Sequence, residues 1–566
     1  MPLITDWGTR LGDPRKVIEY YEKALPIFKA IGNKDGVAKC YANIGAAHYR
    51  LGDPRKAIEY WEKALPIFKA IGDSDSERMV YFNLGRSHYE SNPNIAFNYF
   101  ESSIELQEIA GGRLVEEKHK ISFHAHTSNA YQAMVPLCLK LGKEKTAFEY
   151  VERSKSRALL DLLAATKIKP TVKLTSKLER LLADEENCLA ELREIQTRHL
   201  GQSRVSEPGK IEGIRKKLNC IYDEIGEVAP EYVFTRRGKP LSLNKIQKML
   251  ASQKNMVLLE YFTTKDSVFI FVVSSRDNQL HVETVPISAK KRYRYVENYL
   301  REVVNYLYLE DIGNTWLELS YYLIKPISKY LVKGDVIYFV PYGLLHYLPM
   351  HALQLDGEPL IRRHPVAYSP SASLIKFCLQ KGSGKLQSCA SFGVVFEKEA
   401  DGVAELFGTT AYNGSLANKS NVDTCVDRDI IHFSCHGHFN NADPLSSGVV
   451  LYNEFLTVRE IFGMKLGGEL VTLSACETGL NQRSRGDELI GLSRAFIYAG
   501  APSVVVSLWS VDAGSTRELM LEFYGLLKDG FDKASAMQEA QKKIMEKPEY
   551  SHPYYWAPFI LTGDWQ

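Results

Sequence analysis

The sequence predicts a multidomain chain: an N-terminal all-α solenoid, a helical hairpin linker, and a C-terminal α/β domain with a mostly parallel sheet. Three observations predict it. Residues 12–32 (GDPRKVIEYYEKALPIFKAIG) and 52–72 (GDPRKAIEYWEKALPIFKAIG) are identical at 19 of 21 positions, at a period of 40. Residues 176–228 are charge-rich, with apolar residues at helical spacing. From about residue 240, short apolar runs alternate with helical segments, the pattern of strands buried on both faces of a sheet.

Self-similarity of this kind means stacked units that cannot bury their apolar faces alone. Within a unit, Ile58, Trp61, Ala64, Leu65 and Phe68 recur on one helical face. Gly52-Asp53-Pro54 breaks the chain between helices, with Asp53 suited to capping and Pro54 to the first helical turn. The partner helix, Tyr41 to Leu51, carries Gly and Ala residues that allow close helix approach. The units fall near 12–51, 52–90, 91–141 and 142–165, the last two degenerate. The pattern resembles the tetratricopeptide repeat, in a variant longer than the ~34 residues typical of it. That resemblance implies a concave surface that binds a peptide or protein partner, beside the plainer role of a structural solenoid. Trp7 to Gly12 matches only the tail of a partner helix, so residues 1–165 are expected to be an N-terminally truncated array with further repeats upstream.

Phe148 to Leu163 continues as a helix out of the repeats. Residues 166–239 then read as a helical hairpin linker, with apolar spacing at Leu178, Leu181, Leu182, Leu189 and Leu192 and a break from Gly201 to Gly209. A charge-rich hairpin reads as a solvated spacer.

Residues 240–566 form the α/β domain. Met256–Phe262 and Ser267–Val273 are two strands across a polar turn, a hairpin. Residues 288–331 read as helical. Val336–Val340, Ile430–Ser434, Leu470–Leu473 and Ser503–Leu508 read as buried strands, with helices at Glu488–Ala499 and Arg517–Leu527. In such sheets the crevice for chemistry lies at the carboxyl ends of the strands. His436, Cys476, the Trp509–Asp512 turn and Pro341–Leu345 are all expected on that one rim.

Composition limits the function classes. The 566 residues carry a formal charge of +2, which gives no electrostatic reason for direct nucleic-acid binding or for an anionic membrane. No apolar run approaches the length of a membrane span, and the N-terminus is unlike a signal peptide. Nine cysteines are scattered without a CxxC pair, the usage of a reducing compartment. A cytoplasmic location is expected, with no cofactor.

Two strands carry most of the chemistry: Asp429–Gly437 (DIIHFSCHG) and Glu469–Gly479 (ELVTLSACETG). Each ends in a reactive side chain and a turn, which puts His436 and Cys476 at strand ends 40 residues apart. A thiol and an imidazole meeting at one sheet edge are the minimum equipment of a cysteine protease. The thiolate is the effective nucleophile, and a free cysteine has a pKa of about 8.5. A nearby imidazole accepts the proton and later protonates the leaving amine. Gly437 has no side chain, so its backbone N–H can approach a carbonyl oxygen.

Other readings compete for the same residues. His432, Cys435, His436 and His438 are metal-ligand types. On a strand, however, His432 and His436 share a face while Cys435 points away, and no second pair has zinc-site spacing, so no metal is expected. Cys435 precedes the turn and is expected to be an inert core thiol rather than the nucleophile. A core role for Cys476 is the plain alternative to a catalytic one.

At these residues the chain resembles the CHAT family, caspase-like proteases of the caspase and separase group that are often fused to tetratricopeptide repeats. The matching stretches are VPYGLLHYLPMHAL (340–353), IIHFSCHGHF (430–439), LVTLSACETG (470–479), GDELIGLSRAFIYAGAPSVVVSLWSVD (486–512) and YYWAPFILTGDW (554–565). The resemblance implies that residues 240–378 are a pseudo-protease half and 379–566 the catalytic half. It implies His436 as the catalytic imidazole, Cys476 as the nucleophile, and the N–H groups of Gly437 and Cys476 as the oxyanion hole. No third triad member is required. Separase-like relatives favour a basic residue before the scissile bond, and Asp512 is the carboxylate expected to receive it. Many relatives carry two acidic residues in this turn, whereas here the second is Ala513. Asp487 is another acidic candidate for the substrate pocket, although Gly486-Asp487 before a helix reads first as an N-cap.

The expected function is therefore a cysteine endopeptidase that cuts a protein substrate, with repeats that recruit or sense a protein activator or adaptor. Relatives in bacteria and archaea serve in antiviral defence, some beside RNA-guided effectors and some cutting pore-forming proteins, so an RNA-guided effector is one such partner. The alternative is a non-catalytic repeat scaffold with a relic protease domain. The two differ on whether Cys476 reacts.

Overall fold

The structure is a computed structural model that describes residues 13–111, 117–163, 174–201, 208–229, 232–233, 240–304, 315–382, 384, 386–438, 440, 443–474 and 488–566. The chain divides into two compact units, residues 1–165 with 172–238, and residues 166–171 with 239–566.

The first unit is helical: α1 (Pro14–Ala30), α2 (Lys34–Arg50), α3 (Pro54–Ile71), α4 (Ser74–His88), α5 (Pro93–Gly111), α6 (Glu117–Lys140) and α7 (Glu144–Leu163), each packed on the next. The repeated Gly-Asp-Pro does what its chemistry suits. Asp13 and Asp53 accept from the N–H groups of Arg15 (2.9 Å) and Lys56 (3.2 Å), and Pro14 and Pro54 open the helices, where the missing N–H costs nothing. Ala57, Trp61, Ala64 and Phe68 of α3 are buried with Val80 and Leu84 of α4. Gly45 of α2 and Gly85 of α4, one period apart, are points of close approach. A methyl group on Gly45 would lie 2.8 Å from the Trp61 ring, and one on Gly85 2.6 Å from Phe100. Trp7 to Gly12 lie outside the described residues.

The expected hairpin is present as α8 (Ser176–Gly201) packed on α9 (Pro208–Val228), and it belongs to the same unit as the repeats. Residues 202–207, inside the expected break, lie outside the described residues. The hairpin is more than a solvated spacer. Glu185 of α8 is buried and accepts hydrogen bonds from the hydroxyls of Tyr222 (3.0 Å) and Tyr232.

The second unit is built on one sheet. Its strands are β1 (Met256–Thr263), β2 (Ser267–Ser274), β3 (Leu280–Pro286), β4 (Val336–Val340), β7 (Val366–Tyr368), β8 (Cys389–Gly393), β9 (Tyr412–Asn413), β10 (Ile430–Ser434), β14 (Leu470–Ser474), β15 (Ser503–Ser507) and β16 (Phe559–Gly563). A two-stranded ribbon, β5 (Gln354–Leu355) with β6 (Glu358–Pro359), and a three-stranded sheet, β11 (Gly437–His438), β12 (Gly448–Leu451) and β13 (Glu454–Thr457), stand apart from it. The order across the main sheet is β3-β2-β1-β4-β7-β16-β15-β14-β10-β8-β9. Pairing is parallel except at β1–β2, β2–β3 and β15–β16, so the sheet is mostly parallel as expected.

The antiparallel pair β15–β16 is a seam. Ser503–Ser507 runs against Gly563–Phe559, while β16 is parallel to β7. Strands on the two sides of the seam therefore point in opposite directions. The carboxyl ends of β8, β10, β14 and β15 share one edge, and that of β4 opens on the other. Pro341–Leu345 lies on the rim opposite His436, which corrects the expectation of a single common rim. An apolar run encodes a strand and not its direction.

Helices α10 (Leu243–Ala251), α11 (Ala289–Val304), α12 (Thr315–Leu323), α13 (Ala372–Lys381), α14 (Glu397–Leu406), α15 (Glu488–Ala499), α16 (Ala513–Lys528) and α17 (Lys533–Met545) complete the unit. Around β10 the two faces are covered by different helices. The rings of Phe433 and Phe496 of α15 meet on one face (6.1 Å), while Glu399 of α14 and Tyr524 of α16 reach His432 on the other.

Candidate active site

β10 delivers His436 to the rim. Its residues alternate between faces: Ile431 and Phe433 pack on one, His432 and Ser434 on the other. Cys435 continues the first series. It is buried, its thiol directed at the carbonyl of Phe392 (3.7 Å), which fits a core thiol. The Cys435 N–H donates to the carbonyl of Ser474 (3.2 Å), so the parallel ladder with β14 extends one step past the strand.

His436 follows, half-buried, its carbonyl accepting from Val450 N–H (2.8 Å). Gly437 is half-buried and pairs with Val449 in the three-stranded sheet. His438 is exposed, with its ring 5.3 Å from that of Phe455. The loop before β12 is held by Asn440, whose N–H donates to Ser447 Oγ (2.9 Å) and whose amide donates to Ser446 Oγ (2.9 Å). The histidine is thus fixed at backbone level from both sides.

Cys476 and Asp487 lie outside the described residues, which resume at Glu488. β14 is described through Ser474, which pairs with Ser434 of β10. Asp512 lies beyond the end of β15, on the His436 edge of the sheet. Its carboxylate accepts from Ser515 N–H (2.9 Å), as the N-cap of α16. The sequence reading placed this helix four residues later and so missed the cap; Asp at an N-cap followed by a helical run was the available signal.

Residues 315–564 match the CHAT domain, and residues 9–70 and 41–109 match a tetratricopeptide repeat. The chain carries tetratricopeptide repeats and a CHAT domain. It is 27% identical over 295 residues to human "Tetratricopeptide repeat protein 28", covering 44% of this chain and 12% of that protein. The mouse protein of the same name is 26% identical over 294 residues, covering 41% and 12%. The chain thus spans 12% of the length of these curated relatives. Among solved structures it is similar to the Saccharomyces cerevisiae separase–securin complex, with a TM-score of 0.36 and 10% identity over 97% of this chain and 56% of that one.

All the candidate residues fall inside the matched CHAT domain. Beneath its rim lies a polar group that the sequence reading did not identify. His432 is fully buried. Its Nδ1 is 3.0 Å from the Tyr524 hydroxyl, and its Nε2 is 3.0 Å from both Glu399 Oε1 and Ser434 Oγ. The Tyr524 hydroxyl donates to Thr472 Oγ1 on β14 (2.8 Å). Weighing His432 only as a possible metal ligand, and setting that role aside, hid this. The signal in the sequence was the alternation of polar residues within two apolar strands, His432 with Ser434 and Thr472 with Ser474.

Proposed function

We propose that the CHAT domain is a cysteine endopeptidase of the caspase-like group, with Cys476 as nucleophile and His436 as the imidazole that serves it. The observation that carries the reading is the β10–β14 register. Ser434 pairs with Ser474 at the ends of two neighbouring parallel strands, and in the sequence His436 and Cys476 each follow that pair by two residues. Parallel neighbours lie about 4.8 Å apart, within the reach of a thiol and an imidazole of one amide bond.

In this reading the Cys476 thiolate adds to the peptide carbonyl, and the N–H groups of Gly437 and Cys476 receive the developing oxyanion. The His436 imidazolium gives its proton to the departing amine, and water then releases the acyl group from sulfur. A basic residue before the scissile bond would meet Asp512, whose carboxylate also caps α16. The repeats recruit or sense a protein partner, and partner binding shifts the rim loops toward a competent arrangement. A role in prokaryotic defence, with an RNA-guided effector as activator, belongs to this proposal.

The test is covalent labelling of the full chain by a peptide chloromethyl ketone ending in arginine, located by mass spectrometry. Labelling of Cys476 that is lost in Cys476→Ala and at least about tenfold slower in His436→Ala is expected, since an unassisted thiol near neutral pH is only a few per cent thiolate. Cys220 is the exposed cysteine among the described residues, so the chain is prepared as Cys220→Ser. A Cys476 that labels no faster than a free thiol, with or without a bound partner, leaves the scaffold reading.

A further inference from the structure

The buried group under the rim joins the two strands that the proposed chemistry needs. His432 and Ser434 on β10 lie in register with Thr472 and Ser474 on β14, all four on one face of the sheet. His436 continues the same alternation one step beyond Ser434. The Tyr524 hydroxyl bridges this face, near His432 on one side and donating to Thr472 Oγ1 on the other. Glu399 anchors the far side of the ring from α14, the helix that follows β8. A proton must lie between His432 Nε2 and Glu399 Oε1, because a bare ring nitrogen and a carboxylate oxygen would repel at 3.0 Å.

Such a group is costly where it stands. His432 and Glu399 have side chains 0% and 1% exposed, and polar groups buried this deeply are costly to desolvate, where apolar residues of the same volume are not. Nor is the surrounding polar set saturated. The buried oxygens Ser391 Oγ, Ser474 Oγ and Glu399 Oε2 have no hydrogen-bond partner among the described residues. A core that only had to be stable would be built from apolar side chains here, as the opposite face of β10 is, with Ile431 and Phe433.

We propose that Glu399, His432, Tyr524 and Thr472 form a positioning network for the proposed Cys476–His436 pair, locking the histidine strand to the cysteine strand directly beneath the rim. This inference rests on the catalytic reading above. The network touches no substrate. It acts by holding β10 and β14 at the spacing on which an ion pair between the two rim side chains depends. The titratable groups that face His432 are Glu399 from α14 and Tyr524 from α16, with Cys389 of β8 near Tyr524.

The experiment is the rate of Cys476 alkylation by iodoacetamide from about pH 5 to about pH 9, which reads the thiolate fraction directly. Wild type, His436→Ala, Tyr524→Phe, Thr472→Val, Thr472→Ser and Glu399→Gln are compared. In the wild type the acid limb lies below that of a free thiol and rises in His436→Ala. Tyr524→Phe and Thr472→Val are expected to move that limb up by about one pH unit, a tenfold slower reaction on the acid side. Thr472→Ser keeps the hydroxyl and the wild-type profile. Near-ultraviolet circular dichroism confirms folding, and if Thr472→Val fails to fold, the Tyr524→Phe and Glu399→Gln profiles carry the test. Folded variants with an unchanged acid limb overturn the network while leaving the His436-dependent reading intact. A wild-type limb indifferent to His436→Ala overturns the reading and the network together.

Discussion

His351 is 1% exposed, with Nδ1 2.8 Å from the Tyr368 hydroxyl and Nε2 3.4 Å from the Gln541 side-chain nitrogen. Burial without a charged partner lowers its pKa to about 3. The unfolded chain takes up this proton near pH 6.5, while the folded chain refuses it until about pH 3. The neutral ring is therefore fully accommodated above pH 6.5, and stability falls as pH drops through that window, by up to about 1.4 kcal/mol per pH unit. His552, lowered to about 4 by burial, adds in the same direction. Urea unfolding of His351→Gln between about pH 7 and about pH 4 should show a shallower loss than wild type; parallel curves would exclude His351 as a source of acid lability. The thiols show the same physics with the opposite sign. Burial pushes Cys138 and Cys389 up to about 12, which keeps them inert to alkylation near neutral pH. At this scale the sequence made Cys435 legible, because its place before the turn predicted burial. It did not reveal the partners of His432, which come from helices 33 residues before it and 92 after it.

The elements were legible in proportion to their apolar contrast. β1, β2, β4, β10, β14 and β15 are runs of large aliphatic or aromatic residues and stand out. β8 reads Cys-Ala-Ser-Phe-Gly and β7 only Val-Ala-Tyr, too small or too short to separate from loop by pattern. In the repeats the identity across a period made both helices of a unit predictable, and the glycines mark the tight contacts. Gly45→Ala and Gly85→Ala should each destabilise by about 1–3 kcal/mol, overpacking the indole or phenyl ring in spite of alanine's better helix propensity. Thermal melts followed by far-ultraviolet circular dichroism check this, and unchanged melts would mean that Trp61 and Phe100 give way freely. The sheet is held at its seam by Lys533 of α17. Its ammonium lies 3.1 Å from Asp564 Oδ2, and both side chains are buried. Asp564 N–H donates to the Pro502 carbonyl (2.8 Å), and its own carbonyl accepts from Ser503 Oγ (2.8 Å). Lys533→Met leaves a carboxylate buried without its partner and should cost about 3–5 kcal/mol. A double-mutant cycle with Asp564→Leu should recover part of that loss, since the pair would then be replaced by apolar volume; additive losses would show that the two side chains do not act on each other.

For the whole molecule the sequence yielded the order of parts: repeats, hairpin, then an α/β unit. It did not yield the opposed strand directions of the sheet's two halves, because they depend on β16, a strand whose pairing partners are set by long-range topology. Strand direction decides which loops meet, and here it separates the Pro341 turn from the histidine rim. A chain shortened before Phe559 should keep the helical signature of the first unit and lose the near-ultraviolet signal and protease resistance of the second. Retention of both would show that β7 and β15 pair without it. Among the described residues β16 follows every other strand, yet it sits between β7 and β15, in the interior of the sheet. During synthesis the two half-sheets therefore remain unjoined until residues 559–563 have cleared the ribosomal exit tunnel. A growing polypeptide cannot present a finished groove to its neighbours until this one strand has been made, and maturation of the second unit waits on it.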